Sequence, residues 1–307
     1  MKYRIQHTTL YNYSQLVGLC QNEARLKPRD FWRQHCHFSR LEISPSPANF
    51  QERTDYFGNP VVYFAIQQAH HLLDVTAISE VSVFPRPHDQ DLFNALAWEQ
   101  VRVMLRENGP LHIQSQNQMQ IQVSGSEILD ARQYVFDSPM VAASQELGSY
   151  AAVSFLPNRP LVQVVQDLMQ RIYRDFTYDP SFSSIATPLS EVLAHRRGVC
   201  QDVAHLAIGC LRSYGIAARY ISGYVETQTE PGLPRLVGAD ASHAWFAVYI
   251  PGSGWVEFDP TNNKLPLDQH ITLAWGRDFA DVTPLKGIAF GGGLHTLSVS
   301  VDVLRLE

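Results

Sequence analysis

Three side chains in this chain of 307 residues have the types and settings that thiol chemistry requires. In RRGVCQDVAHLAIGCLRSYGIAARYISGY, residues 196–224, Cys200 stands where the pattern predicts the first turn of a helix. A cysteine attacks as its thiolate, and a free thiol pKa near ~8.5 leaves little thiolate at neutral pH. Unpaired N–H groups at a helix N-terminus lower that pKa, and so does a neighbouring imidazolium. Gly198 permits a tight entry, and Ala204, Ala207, Ile208 and Leu211 form an apolar stripe for a helix that begins near Cys200 and stops at Gly215. The first-turn N–H groups also suit the oxyanion of an acyl-transfer intermediate.

The imidazole must come from elsewhere. ADASHAWFAVYIPGSGWVEFDPTNN, residues 239–263, reads as two alternating strands around the turn PGSG. His243 opens the first strand and Asp259 closes the second, with Pro260 stopping it. A hairpin brings those two ends together. The carboxylate would then fix the tautomer and direction of the His243 ring.

The elements that position these groups follow from periodicity. Residues 1 to about 85 read as strands, with Tyr3, Ile5, His7, Thr9, Tyr11 and Tyr13 in one phase of a two-residue period. LEISPSP, DYFGNPVVYFAI and LLDVTAISEVSVF continue the pattern and suggest a β-sandwich. A helix is expected from Asp91 to Asn108, and another opens with Ser138 as cap and Pro139 at its first position. The glutamine-rich run over 111–124 fits an edge strand or an insertion. A boundary is placed at SFLPNRP, giving a β-rich unit over 1–155 and a second unit over 156–307. The second unit carries an amphipathic helix after Pro160, a short helix after Thr187–Pro188, the Cys200 helix, and then strands ending in HTLSVSVDVLRL. Helices followed by an antiparallel sheet give an α+β class.

Composition limits the remaining possibilities. The chain is 45% hydrophobic with a formal charge of −6 and no basic block, so nucleic acid is not an expected partner. No apolar run reaches the ~18 residues of a membrane span, and the start, MKYRIQHTTLYNYSQ, lacks a signal-peptide centre, so a cytoplasmic setting is expected. Cys20, Cys36, Cys200 and Cys210 are too few for a disulfide scaffold. No zinc-finger spacing is present, HCH at residues 35–37 included, and neither a metal nor a cofactor is expected.

GVCQDVAHLAIGCLRSYGIAARYISGY, ASHAWFAVYIPGSGWVEFDPTNN and GRDFADVTPLKG together resemble the bacterial transglutaminase-like superfamily, whose core is related to papain-type cysteine proteases. YRIQHTTLYNYSQLV with ARLKPRD resembles the β-rich domain that precedes this core in one bacterial subfamily. The resemblance implies Cys200 as nucleophile, His243 as general base and acid, and Asp259 as orienting carboxylate. Animal transglutaminases place a tryptophan ahead of the nucleophile in the oxyanion pocket. Here there is none between residues 99 and 244, and the aromatics on that side are Tyr178 and Phe182. The acidic calcium-site runs of the animal enzymes are absent too, so the resemblance does not imply calcium activation.

Other residues have plainer readings beside sharper ones. Cys210 and His205 read as packed core, and Gly291–Gly293 as a turn before the last strand. Asp202 suits a helix cap or a substrate contact. Tyr178, Tyr224 and Trp245 are candidate walls of a substrate groove. Arg277, Asp278 and Asp281 suit an ion pair, either buried or beside the site.

Three functions compete. Acyl transfer on an amide or isopeptide bond ends in hydrolysis, the preferred outcome, or in transfer to an amine. A second possibility is a non-catalytic peptide-binding module. The third is a hydrolytic zinc site built from His243, Cys200 and a carboxylate. The partner expected is a peptide or protein amide, and a dimer through unpaired sheet edges is compatible with the pattern.

Overall fold

The computed structural model describes residues 1–86, 96–107, 111–114, 120–226 and 242–306, with backbone alone for 111–114 and 120–122. The opening alternation forms β1 (Lys2–Ala24), which buries Tyr3, Ile5, His7 and Thr9 on one face. Its first half pairs with β5 (His70–Val83) and β15 (His295–Arg305). Its second half pairs with β4 (Pro60–Ile66) and β14 (Leu285–Gly291). The register breaks between Asn12 and Val17 and again between Val17 and Leu19. Such breaks bend a strand, and β1 thereby serves two sets of neighbours. With β2 (Gln34–Ser44) on β5 and β3 (Asn49–Thr54) on β4, the strands make one seven-stranded antiparallel sheet that is continuous through β1.

The expected extent of the second unit, residues 156–307, does not describe β14 and β15, which return to the first sheet and flank β1. Alternation in HTLSVSVDVLRL marks a strand without saying which sheet accepts it. Three successive glycines end β14 and open the turn that leads through Leu294 to β15. Gly291, Gly292 and Gly293 have φ of +96°, +84° and +63°, and a Cβ on Gly291 would lie 2.6 Å from the Leu16 carbonyl oxygen. Positive φ and close backbone approach both call for glycine there.

Two sequence-expected helices begin elsewhere. α1 is Trp98–Arg106, and the expected start at Asp91 lies outside the described residues. Leu96 and Ala97 are held outside the helix because Leu96 accepts the Leu161 N–H and Ala97 bridges Pro160. The glutamine-rich run contains a hairpin of β6 (Leu111–Gln114) and β7 (Gln120–Val123), followed by α2 (Gly125–Arg132), capped by Ser124. α3 is Gln145–Ala151, with Ser144 rather than Ser138 as its cap. The Ser138–Val141 turn is taken by tertiary partners: Arg212 donates to Ser138 Oγ and the Val141 carbonyl, and Asp278 accepts the Met140 N–H.

The second region is built on α4 (Leu161–Asp175), α5 (Leu189–His195) and α6 (Cys200–Ser213) over an antiparallel sheet. The sheet order is β12 (Gly254–Phe258), β11 (Ser242–Ile250), β10 (Ala218–Val225), β13 (His270–Gly276). α6 stops as expected at Gly215, whose φ is +74°. β10 and β11 are buried almost throughout, the signature of strands covered on both faces. α6 packs on one face. On the other, Ile221, Trp245 and Ala247 cluster with Trp255 and Trp275, and the Arg29 guanidinium lies 3.5 Å from the Trp275 ring centre.

Two side-chain amides from the first region seal the outer edge of β13. Gln34 donates to the Thr272 carbonyl and accepts the Thr272 N–H, both at 2.8 Å. Asn59 does the same for Trp275 at 2.9 Å each way. Each amide imitates the missing neighbouring strand and satisfies an edge that would otherwise stay open. Arg33 adds a buried pair with Glu257, 3.4 Å apart. A continuous apolar core runs through both regions.

Candidate active site

Cys200 opens α6, whose Val199 cap is extended at φ −104°. Asp202, in the first turn, folds back so that its Oδ2 accepts the Val199 N–H at 2.7 Å and the Ser183 hydroxyl at 2.5 Å. Gly198 makes room for this, since a Cβ there would lie 2.7 Å from that oxygen. A parallel bridge between β8 (Thr177–Tyr178) and β9 (Arg197–Gly198) sets Tyr178 beside the entry to the helix. Cys200 is half-buried at a helix tip whose first N–H groups have no intrahelical acceptors.

The β11–β12 hairpin brings up the other two groups as its spacing predicted. Phe246 pairs with Phe258, so Asp259 follows opposite Trp245, and His243 is its diagonal neighbour on the same face. His243 Nε2 donates to Asp259 Oδ2 at 2.9 Å, and Cys200 faces the same cavity, near enough for its sulfur to help raise the imidazole's pKa. With Nε2 on the carboxylate, Nδ1 is the ring nitrogen left for sulfur. Thiol, imidazole and carboxylate thus stand in series.

Asp259 is fully buried and held from every side. Its Oδ1 accepts the N–H groups of Thr261 at 3.0 Å and Asn262 at 3.2 Å. Its Oδ2 accepts from His243, from Asn262 Nδ2 at 2.6 Å and from His270 Nε2 at 3.0 Å. Burial opposes the charged form, but the hydrogen bonds from the two imidazoles and their charge outweigh it and hold this carboxyl well below the usual carboxylate range. The same contest raises His243. Burial favours its neutral form, while its hydrogen bond to Asp259, the nearby Cys200 sulfur and the charge on both push its pKa up to about 10.

Cys200, His243, Tyr178, Asn262, His270 and Glu226 share the walls of a cavity of about 490 Å³. Tyr178, 57% exposed, lies at its rim. A larger cavity of about 740 Å³ reaches Gln201 and His205 but neither Cys200 nor His243.

Three expected substrate contacts are buried instead. The Asp202 carboxylate is a helix cap, 3% exposed. The Tyr224 hydroxyl bonds His7 Nδ1 at 2.8 Å inside the contact between the two regions. Trp245 is enclosed behind His243, its ring centre 6.0 Å from the imidazole and its N–H on Glu257 Oε2. Of that group only Tyr178 lines the cavity. His205 is packed, as read, and Arg277 pairs with Asp281 at 2.9 Å while Asp278 caps α7 (Phe279–Val282).

His270 and Asn262 were missed. Asn262 sits in the quoted DPTNN, directly after Thr261, whose N–H closes an Asx turn on Asp259 Oδ1, and that turn signal is its only local cue. His270 lies on a different strand and has no comparable local signal. Among the described residues, His243, Asp259 and His270 are the group whose ligand atoms lie close enough for a cation, within 4.8 Å of one another. That set differs from the Cys200-containing one considered from sequence. Here both Nε2 atoms point at Oδ2 at hydrogen-bond length, and His270 Nδ1 lacks the partner that usually orients a metal-bound imidazole.

Comparison with known proteins agrees with this architecture. Residues 3–82 match the bacterial transglutaminase-like N-terminal region, and residues 152–260 match the transglutaminase-like superfamily. An uncharacterized protein of Mycobacterium tuberculosis is 39% identical over 311 residues, covering 100% of this chain and 93% of that protein. A protein-glutamine gamma-glutamyltransferase of Pseudomonas aeruginosa is 27% identical over 139 residues, 41% of this chain and 21% of that one. A Cytophaga hutchinsonii protein solved as a candidate cysteine protease superposes with a TM-score of 0.73 at 20% identity, covering 100% of this chain and 91% of that one. The chain belongs to the transglutaminase-like superfamily.

Proposed function

We propose that this member of the transglutaminase-like superfamily is a thiol acyl-transfer enzyme acting on an amide or isopeptide bond, with hydrolysis as its main outcome. One observation carries the reading: a single imidazole, His243, hydrogen-bonded to buried Asp259 and sharing a cavity wall with Cys200 at the tip of α6.

The steps follow from the geometry. The Cys200 proton passes to His243, and the thiolate adds to the carbonyl carbon. The oxyanion meets the unpaired N–H groups at the α6 tip. As the C–N bond breaks, His243 gives its proton to the departing amine, leaving a thioester on Cys200. His243 then takes a proton from water, and the resulting hydroxide adds to the thioester carbonyl. The C–S bond breaks to release a carboxylic acid while the Cys200 thiolate takes the proton back from His243. Asp259 stays ionised throughout and holds the ring.

Water needs no dedicated site, and the cavity beside Tyr178 admits it, which favours hydrolysis. The gamma-glutamyltransferase relative supports a second reading in which an amine takes the place of water. The test is a peptide and isopeptide library incubated with wild type and Cys200→Ala, with and without an added amine, and read by mass spectrometry. Wild type yields products heavier by one water, and Cys200→Ala loses them by roughly 10³-fold or more while keeping its fold. Amine adducts in place of water adducts would establish transfer. Equal turnover by both proteins would overturn the reading.

A further inference from the structure

Asp259 serves more imidazole than His243 alone requires. Its direction is already set by the Thr261 and Asn262 N–H groups on Oδ1 and by Asn262 Nδ2 on Oδ2. Even so, His270 arrives from β13, two strands away from β11, and donates Nε2–H to the same Oδ2 at 3.0 Å. Its ring is only 4% exposed, and its Nδ1 has no hydrogen-bond partner among the described residues. A half-satisfied buried imidazole is a poor packing choice, since an apolar side chain would fill the place without an orphaned nitrogen.

The surroundings are shaped to hold it there. The Trp245 indole stands edge-on to His270, with ring centres 5.1 Å apart at 78°, and lies nearly parallel to His243 at 26°. Beneath it, β10 presents Gly223, which pairs with His243 on one side and Thr272 on the other. A Cβ there would come 2.5 Å from the indole and 2.0 Å from the Ile271 carbonyl oxygen. The missing side chain therefore lets the ring cross β10 and lean on both imidazoles. The indole N–H is fixed by Glu257, which pairs with Arg33 of the first region.

We propose that His270 is a positioning residue that, by donating to Asp259 Oδ2, draws off part of the carboxylate's charge and so sets how strongly Asp259 stabilises the His243 imidazolium. This rests on the acyl-transfer reading above. The titratable groups meeting Asp259 are His243 from β11 and His270 from β13. Asn262 and two backbone N–H groups come from its own loop, and Cys200 of α6 stands beyond His243. Lys264 and Glu226 face the same cavity, the latter paired with Arg305. A carboxylate divided among more donors attracts each less strongly. His243 must release its proton to the leaving amine, and a proton acid works best with a pKa near the working pH. The second imidazole moves His243 in that direction.

The test needs no substrate. Iodoacetate is an anion and iodoacetamide is neutral, so the ratio of their Cys200 alkylation rates stays high while the imidazolium persists and falls when His243 loses its proton. In the full-length wild type this ratio should fall through about pH 10. His270→Phe keeps a ring without a donor, and its midpoint should move upward by on the order of half a pH unit. His270→Gln keeps an amide donor and should return the midpoint to that of wild type. If His270→Phe does not fold, His270→Asn, too short to reach the carboxylate, takes its place with the same expectation. A midpoint unchanged or lowered in the donor-free variant, whatever its melting temperature, overturns the proposal and leaves His270 a packing residue. Wild-type Cys200 alkylated no faster than Cys36 is a separate result that overturns the acyl-transfer reading itself and the proposal with it.

Discussion

His205 and His243 are both withdrawn from water, yet their regions drive them to opposite charge states. His205 lies in the middle of α6, where its Nε2 accepts the Phe279 N–H at 3.1 Å and its ring packs 4.8 Å from that of Tyr220. Burial lowers its pKa to about 4, with the attraction of Asp278 opposing that and the repulsion of Arg212 adding to it. His243 lies at the sheet end, where Asp259 and Cys200 more than offset burial and raise it to about 10. Burial alone makes a neutral acceptor. Burial between a carboxylate and a thiol makes a cation ready to donate. The contrast separates the histidine proposed to react from the packed one by its partners, since enclosure is common to both.

Substitution separates the two most sharply. His243→Gln removes the proton carrier, and turnover of any substrate found in the library screen should fall by roughly 10³- to 10⁴-fold. His205→Leu should leave kcat/KM within about twofold. Equal losses in the two variants would erase the distinction drawn here.

The pH dependence of unfolding refines it. His243 is raised from 6.5 to about 10 in the folded protein, so its stabilisation is complete below 6.5 and lost as pH rises through about 10. His205 is lowered from 6.5 to about 4, so the unfolded chain binds the extra proton between those values, and stability falls as pH drops through that window. His7, lowered by burial to about 4, adds to the same acid limb. Denaturant unfolding of wild type should weaken on both sides, by on the order of a few kcal/mol for each strongly shifted histidine. His243→Gln should flatten the alkaline limb, and His205→Leu should remove its share of the acid limb. The opposite assignment of limbs would refute the two charge states.

The smallest effect is on stability near neutral pH. His205→Leu leaves the Phe279 N–H without its acceptor, a loss of about 1–3 kcal/mol in the same unfolding experiment. No measurable loss would mean that this bond contributes nothing and that His205 is held by packing alone.

The three groups in series were legible because each depends on local geometry. A helix start at Cys200 and a hairpin whose ends are His243 and Asp259 follow from glycine placement, alternation and one turn. Tyr224 and Trp245 were misplaced for the converse reason: an aromatic near a nucleophile looks the same in sequence whether it faces a groove or the interior, while Asp202 took the cap reading and not the substrate one. Ser138 failed as a cap because Arg212, a distant residue, competes for its turn.

Local pattern therefore determined the class of fold, the order of elements and the placement of Cys200, His243 and Asp259, the groups proposed to react, since periods of two and 3.6 residues and turn chemistry act over a few positions. Only the tertiary structure decided that β14 and β15 join the first sheet, that Gln34 and Asn59 seal the edge of β13, and that His270 reaches Asp259 across Gly223. These contacts link residues far apart in the chain. Which partners they find depends on the whole molecule satisfying its buried polar groups and edges at once, a condition no short stretch of sequence contains.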